Sequence, residues 1–144
     1  PGVSALLFES LAHANVNVDM IVQNTSIDGS TDISFTLPLG DIATALPILK
    51  KVGDEVGAKG VSQDENIVKL SLVGAGMKSS PGIAAKMFRV LADNNVNIEM
   101  ISTSTIRISV VVERNMLETA IRALHTAFDL DSGQDYSAPL PERK

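Results

Sequence analysis

The chain has 144 residues, a formal net charge of −5 from 12 basic and 17 acidic side chains, and only 3% aromatic residues. That length holds one domain or two small ones. The acidic balance and scarce aromatics exclude a basic, base-stacking nucleic-acid surface. Cysteine is absent, which removes disulfides, thiolate metal sites and cysteine nucleophiles. No apolar run approaches the ~20 residues of a membrane span.

In chain order, Pro1-Gly2 opens a predicted helix with Val3, Leu7 and Leu11 on one buried stripe, ending near Asn15. A period-two strand follows, with Val16, Val18, Met20 and Val22 inward and Asn17, Asp19, Ile21 and Gln23 outward. After a turn at Ile27-Asp28-Gly29-Ser30, a second strand carries Ile33, Phe35 and Leu37. A second helix buries Leu46 and Leu49, and Pro47 predicts a late start or a kink in it. Lys59 to Gln63 reads as a short closing strand, and Asp64-Glu65-Asn66 as a turn.

Val68, Leu70 and Leu72 then alternate along a strand over about residues 67–73. Pro81-Gly82 opens a helix with Ile83, Met87 and Leu91 on its stripe, ending near Asn95. Val96, Ile98 and Met100 face inward on the next strand, and Asn97, Glu99 and Thr103 outward. A strand with Ile106, Ile108, Val110 and Val112 and a helix with Leu117, Ile121 and Leu124 complete the series. The tail, with Pro139 and Pro141, holds at most a short strand near Tyr136 and is otherwise expected to be loose.

These elements repeat. Residues 1–25 and 81–105 align without gaps at an offset of 80, sharing Pro-Gly, Phe8/Phe88, Leu11/Leu91, Ala12/Ala92 and the Asn-Val-Asn at 15–17 and 95–97. Beyond the turn the offset becomes 75, pairing Ile33-Ser34 with Ile108-Ser109, so the first copy carries five extra residues. The repeated unit is β-α-β-β-α-β, the ferredoxin-like arrangement. The fold class is therefore α+β, with two tandem modules of antiparallel sheet and helices on one face. Module one spans 1–65 and lacks its first strand, module two spans 66–138, and 139–144 is the loose tail. The missing strand is central in this topology, so the chain is expected to belong to something longer upstream.

Enzymatic chemistry finds little footing. His13 and His125 lie in different modules and flank no acid–base pair. Gly74-Ala75-Gly76-Met77-Lys78-Ser79 follows a strand but fails the dinucleotide pattern, with Ser79 for Gly, and the phosphate loop, with Met77 for Gly. The helix starts are more informative. A helix N-terminus offers unsatisfied N–H groups and positive partial charge, so it binds a carboxylate without a basic side chain. Gly82 and Ile83 supply such donors, and Asn97 and Glu99, expected nearby, accept from an ammonium group. Gly2, Val3, Asn17, Asp19 and Gln23 form the related set in module one. Together these describe a site for a free amino acid; the same residues also serve as simple turns and caps.

At these residues the chain resembles the regulatory region of bacterial aspartokinase, built from two ACT modules. The resemblance rests on Val68 to Ser79 with Pro81-Gly82, Asn95-Val96-Asn97-Ile98, Ile101-Ser102-Thr103-Ser104 and Ile106-Arg107-Ile108-Ser109. Val18 to Asn24 and Thr31 to Thr36 carry it in module one, and it spans roughly Pro1 to Leu130. It implies a cytoplasmic feedback sensor, not an enzyme by itself and without a cofactor. L-threonine, L-lysine or both would bind at ACT–ACT interfaces and inhibit phosphorylation of aspartate. The implied partners are the kinase catalytic domain or subunit and a second copy, as a homodimer, with no nucleic acid or membrane.

Position by position, the resemblance implies effector contacts at Gly2, Val3, Ser4, Asn17, Val18, Asp19, Gln23 and Asn24. In module two it implies Met77, Lys78, Gly82, Ile83, Ala84, Asn97, Ile98, Ser104 and Thr105. Two departures stand out. Thr105 replaces a glutamate common in relatives, and Ser80 a histidine. Without a carboxylate at 105, a lysine ammonium lacks a natural partner, which favours threonine as the ligand. The alternative is a purely structural module that dimerises the kinase and binds nothing.

Overall fold

The computed structural model describes residues 1–74 and 82–129, together with the backbone of Glu142–Arg143. The chain divides into two compact units, Pro1–Glu65 and Asn66–Lys144. Met77, Lys78 and Tyr136 lie outside the described residues.

The first unit contains helix α1 (Val3–His13), strands β1 (Ile21–Thr25) and β2 (Thr31–Phe35), and helix α2 (Ile42–Val56). Its core gathers Leu7, Leu11, Val16, Ala45 and Val52, with Phe8, Val18, Ile33, Phe35 and Leu49 packed against them. Leu7 and Leu11 come from the predicted stripe, one turn apart on the face turned to α2. Phe8 and Phe35 meet edge to face with centroids 5.5 Å apart, the arrangement the ring quadrupoles favour. Asn15 turns left-handed (φ 61°) and lets Val16 N–H bond the Leu11 carbonyl at 3.0 Å, which closes α1.

Pro47 does not delay the second helix: α2 runs unbroken from Ile42. The N–H that proline lacks would have bonded the Ala43 carbonyl. Both residues are exposed, so water reaches that oxygen. The strand predicted over Lys59–Gln63 does not form. A segment becomes a strand only where a ladder edge receives it, and among the described residues β1 and β2 pair with each other and not with 59–63. The first unit is left with the two-stranded ladder β1–β2.

The second unit has strand β3 (Ile67–Val73), helix α3 (Ile83–Asp93), strands β4 (Met100–Thr103) and β5 (Arg107–Glu113), helix α4 (Leu117–Ala127) and strand β6 (Glu142–Arg143). The sheet order is β4-β5-β3-β6, antiparallel throughout, which is the ferredoxin-like order. β6 pairs with β3 inside the stretch expected to be loose. Leu70, Leu72, Ile108, Val110 and Val112 from one sheet face pack with Met87 and Leu91 of α3 and Ala120 and Leu124 of α4. Fully burying each leucine or methionine contributes about 1.5–3 kcal/mol, so this stripe-on-sheet core holds the unit together.

Candidate functional site

Each unit opens its first helix in the same way. Gly2 and Gly82 cap α1 and α3 with φ of 94° and 95°, a left-handed conformation in which an L side chain is strained. Neither helix start has a side-chain cap, and a Cβ at either glycine would meet nothing within 4 Å. The first intrahelical bonds run from Leu6 N–H to the Gly2 carbonyl (3.0 Å) and from Lys86 N–H to the Gly82 carbonyl (2.8 Å). The N–H groups of Val3, Ser4 and Ala5, and of Ile83, Ala84 and Ala85, therefore precede the helical ladder and point along each axis. With the helix dipole they make an open cradle suited to a carboxylate.

The strand that follows α1 breaks its alternation. Asp19 N–H donates to the Thr36 carbonyl (2.9 Å), and Thr36 N–H donates to the Met20 carbonyl (3.0 Å). Two residues thus oppose one, the signature of a β-bulge. The Thr36 hydroxyl also accepts from Met20 N–H at 3.0 Å, a shaping contact that the sequence pattern did not single out. In the second unit Glu99 N–H donates to the Val111 carbonyl (2.8 Å), while Met100 is the register partner of Val111.

The bulge changes which residues share a face. Val18 packs against the core, yet Ile21 and Gln23, predicted outward, lie opposite Phe35 and Ile33 on the helix side of the ladder. Thr103, also predicted outward, lies opposite the core residue Ile108. Gln23 thereby reaches the first turn of α1, where Ser4 Oγ donates to its Oε1 at 3.0 Å. Asn24 pairs with Asp32 on the other face of β1.

Asn17 and Asp19 are not beside the helix start, as the sequence pattern suggests. α1 has 11 residues, about 16 Å of axis, and the chain runs back along it. Val16 bonds Leu11 near the C-terminal end of α1 and Gln23 meets Ser4 at its N-terminal end. Asn17 and Asp19, both exposed, are therefore at the far end from Gly2. Asn97 and Glu99 stand likewise with respect to Gly82, because Val96 N–H bonds the Leu91 carbonyl (2.9 Å).

The remaining residues divide by role. Val18, Ile83, Ala84 and Ile98 are half-buried and pack against their cores, and Val3 is 42% exposed. Ser104 and Thr105 are exposed in the β4–β5 turn; Ser104 Oγ accepts from Ile106 N–H at 3.3 Å, and its N–H donates to the Arg107 carbonyl at 2.8 Å. His13 is exposed and His125 half-buried. Among the described residues, no three acidic or histidine side chains gather as a metal site. No helix among them is long and apolar enough to cross a membrane.

A family model described as the ACT domain matches residues 1–52 and 70–128. An aspartate kinase of Stutzerimonas stutzeri is 50% identical over 132 residues, covering 92% of this chain and 32% of its own length. The chain spans about a third of the length of the curated relatives it matches. Two solved structures match it nearly end to end. An aspartokinase of alpha and beta subunits has 46% identity and TM-score 0.83, covering 90% of this chain and 84% of the matched one. The regulatory subunit of aspartate kinase from Thermus thermophilus, in its ligand-free form, has 38% identity and TM-score 0.80, covering 89% and 85%. With both units matched by the family model and both sheets carrying the same α-β-β-α order, the chain belongs to the ACT-domain family as an aspartokinase regulatory region.

Proposed function

We propose that this chain is the feedback sensor of an aspartokinase, binding L-threonine in preference to L-lysine and so inhibiting phosphorylation of aspartate in the cytoplasm. The observation that carries the reading is the pair of uncapped helix starts, each on a left-handed glycine open to a ligand carboxylate. The ligand ammonium needs acceptors, which Asn17, Asp19, Asn97 and Glu99 offer from the far end of each helix. One unit cannot supply both halves, so the effector bridges two ACT modules, one giving the helix start and another the strand acidic group. A homodimer brings such halves together.

Inhibition follows from differential affinity. An effector that bridges two modules favours the arrangement in which they are bridged. A full swing from 1:99 to 99:1 requires ~5.5 kcal/mol of preference, shared among the sites. The catalytic partner is the remaining two-thirds of a full-length kinase, or a separate larger subunit.

Titration calorimetry of the chain with threonine, lysine and both together tests the reading. Heat with threonine at sub-millimolar concentration is the expected result. No heat with any of the three, alongside unchanged oligomer mass, favours the purely structural dimerisation role instead.

A further inference from the structure

The chain has a single Asp–Gly step, Asp28-Gly29, and it sits at the tip of the β1–β2 hairpin. It falls where the first copy carries its extra residues. Ile27, Asp28 and Gly29 are all exposed, and a Cβ on Gly29 would meet nothing within 4 Å. Glycine leaves the amide nitrogen after an aspartate unshielded, because no side chain stands over it. Both reacting groups are nonetheless held. Gly29 N–H donates to the Ser26 carbonyl at 2.9 Å. Asp28 Oδ1 accepts from the Ser30 N–H at 2.9 Å and from the Ser30 hydroxyl at 2.7 Å. We propose that Asp28 is a modification site, converting spontaneously from an aspartyl to an isoaspartyl linkage through a succinimide, and that Ser30 sets its rate.

In the first step the Gly29 amide nitrogen bonds to Asp28 Cγ. The carboxyl gives up a hydroxyl, which leaves with the amide proton as water and closes the succinimide ring. Water then breaks one of the two carbonyl–nitrogen bonds of the ring. Cleavage at Cγ returns aspartate. Cleavage at the former main-chain carbonyl leaves the chain running through Cβ and Cγ, with a free α-carboxylate. One water leaves and one returns, so the mass is unchanged and nothing is oxidised or reduced. Before the nitrogen can reach Cγ, Gly29 N–H must leave the Ser26 carbonyl and the carboxyl must leave Ser30. The Ser30 bonds also favour the ionised carboxyl, which lacks the proton that a departing hydroxyl needs. Conversion inserts a methylene into the main chain just inside the closing pair, Thr25 opposite Thr31, where Ser26 N–H meets the Ser30 carbonyl at 2.8 Å. The cap is lost with it, and the hairpin frays from its tip.

The full 144-residue chain is incubated at neutral pH with mild heating, beside a free peptide of the sequence Thr25 to Thr31. Isoaspartate at position 28 is measured by peptide mapping with mass spectrometry and by methyl transfer from a protein isoaspartyl methyltransferase. The chain is expected to accumulate it about tenfold more slowly than the peptide, the scale of the hydrogen bonds that hold the turn. Ser30→Ala is expected to speed conversion in the chain about fivefold, the scale of one hydrogen bond, and Ser30→Thr, which keeps the hydroxyl, to stay within about twofold of the original. In the free peptide, where no folded turn forms, Ser30→Ala is expected to change little. A chain without isoaspartate at 28, original and Ser30→Ala alike, over the time in which the peptide converts overturns the site. Conversion of the original chain as fast as the peptide, a rate unmoved by Ser30→Ala, or an equal acceleration in the peptide overturns the role of Ser30.

Discussion

Ser71 and Ser109 face each other across β3 and β5 with their hydroxyl oxygens 2.7 Å apart, both almost wholly buried. They alternate with the core residues Leu70, Leu72, Ile108 and Val110 and so point to the sheet face turned away from the helices. Removing one hydroxyl strands the other without a partner, which costs about 1–3 kcal/mol. Ser71→Ala and Ser109→Ala should each destabilise the second unit by that amount, and the double variant by clearly less than their sum. Urea unfolding of the four proteins supplies the cycle; strict additivity would mean the pair does not act as one.

The equivalent leucines Leu11 and Leu91 are both fully buried, each in the core of its own unit. Truncation to alanine costs about 2–5 kcal/mol at such sites. Among the described residues the first core has 5 buried residues and the second 10, so the same loss is the larger fraction of the first unit's stability. Native-state hydrogen exchange should show Leu11→Ala stripping protection from α1 and α2. Leu91→Ala should only weaken protection in β3 and β5. Equal loss in both would contradict the difference between the cores.

Gly82 holds φ at 95° with open space around its Cα. Alanine there meets no atom but must adopt a left-handed backbone, at a cost of roughly 1–2 kcal/mol. Gly82→Ala should lower the thermal midpoint of the second unit. Asn or Asp at the same position should cost less, since they tolerate that region. A neutral Gly82→Ala would indicate that the start of α3 relaxes to an ordinary backbone.

Asp28 caps the β1–β2 turn, its Oδ1 accepting from Ser30 N–H at 2.9 Å and Ser30 Oγ at 2.7 Å. The Ser30 hydroxyl, then its N–H, hold the carboxyl below its ordinary value of 3.8. A depressed carboxyl contributes its stabilisation above the unfolded value and loses it as pH falls through the folded one. The turn should therefore keep its geometry at neutral pH and loosen only below pH 3.8. The side-chain carboxyl carbon of Asp28, followed by NMR, should titrate with a midpoint under that value. A midpoint at or above it would mean that the cap does not form in solution.

Gln23 is the strand residue that reaches the start of α1, whereas Asn24 lies on the opposite face. Gln23→Ala should weaken threonine inhibition of the assembled kinase several-fold and leave its uninhibited rate unchanged. Inhibition curves superimposable with the original would remove Gln23 from the site.

The repeat, the four helices, the apolar stripes and the left-handed asparagines at 15 and 95 are all legible in the amino-acid order. Each depends on neighbours within a few residues, or on matching one copy to the other. The strand faces beyond Asp19 and Glu99 are not. They depend on where Thr36 and Val111 meet the other strand, and one bulge shifts every later side chain across the ladder. The absent strand at 59–63 has the same origin, since an isolated segment becomes a strand only where a ladder edge receives it. Composition and spacing therefore fixed which groups are available for a ligand. Pairing across the chain decided that Ser4 meets Gln23, and that Asn17 and Asp19 stand a helix length away.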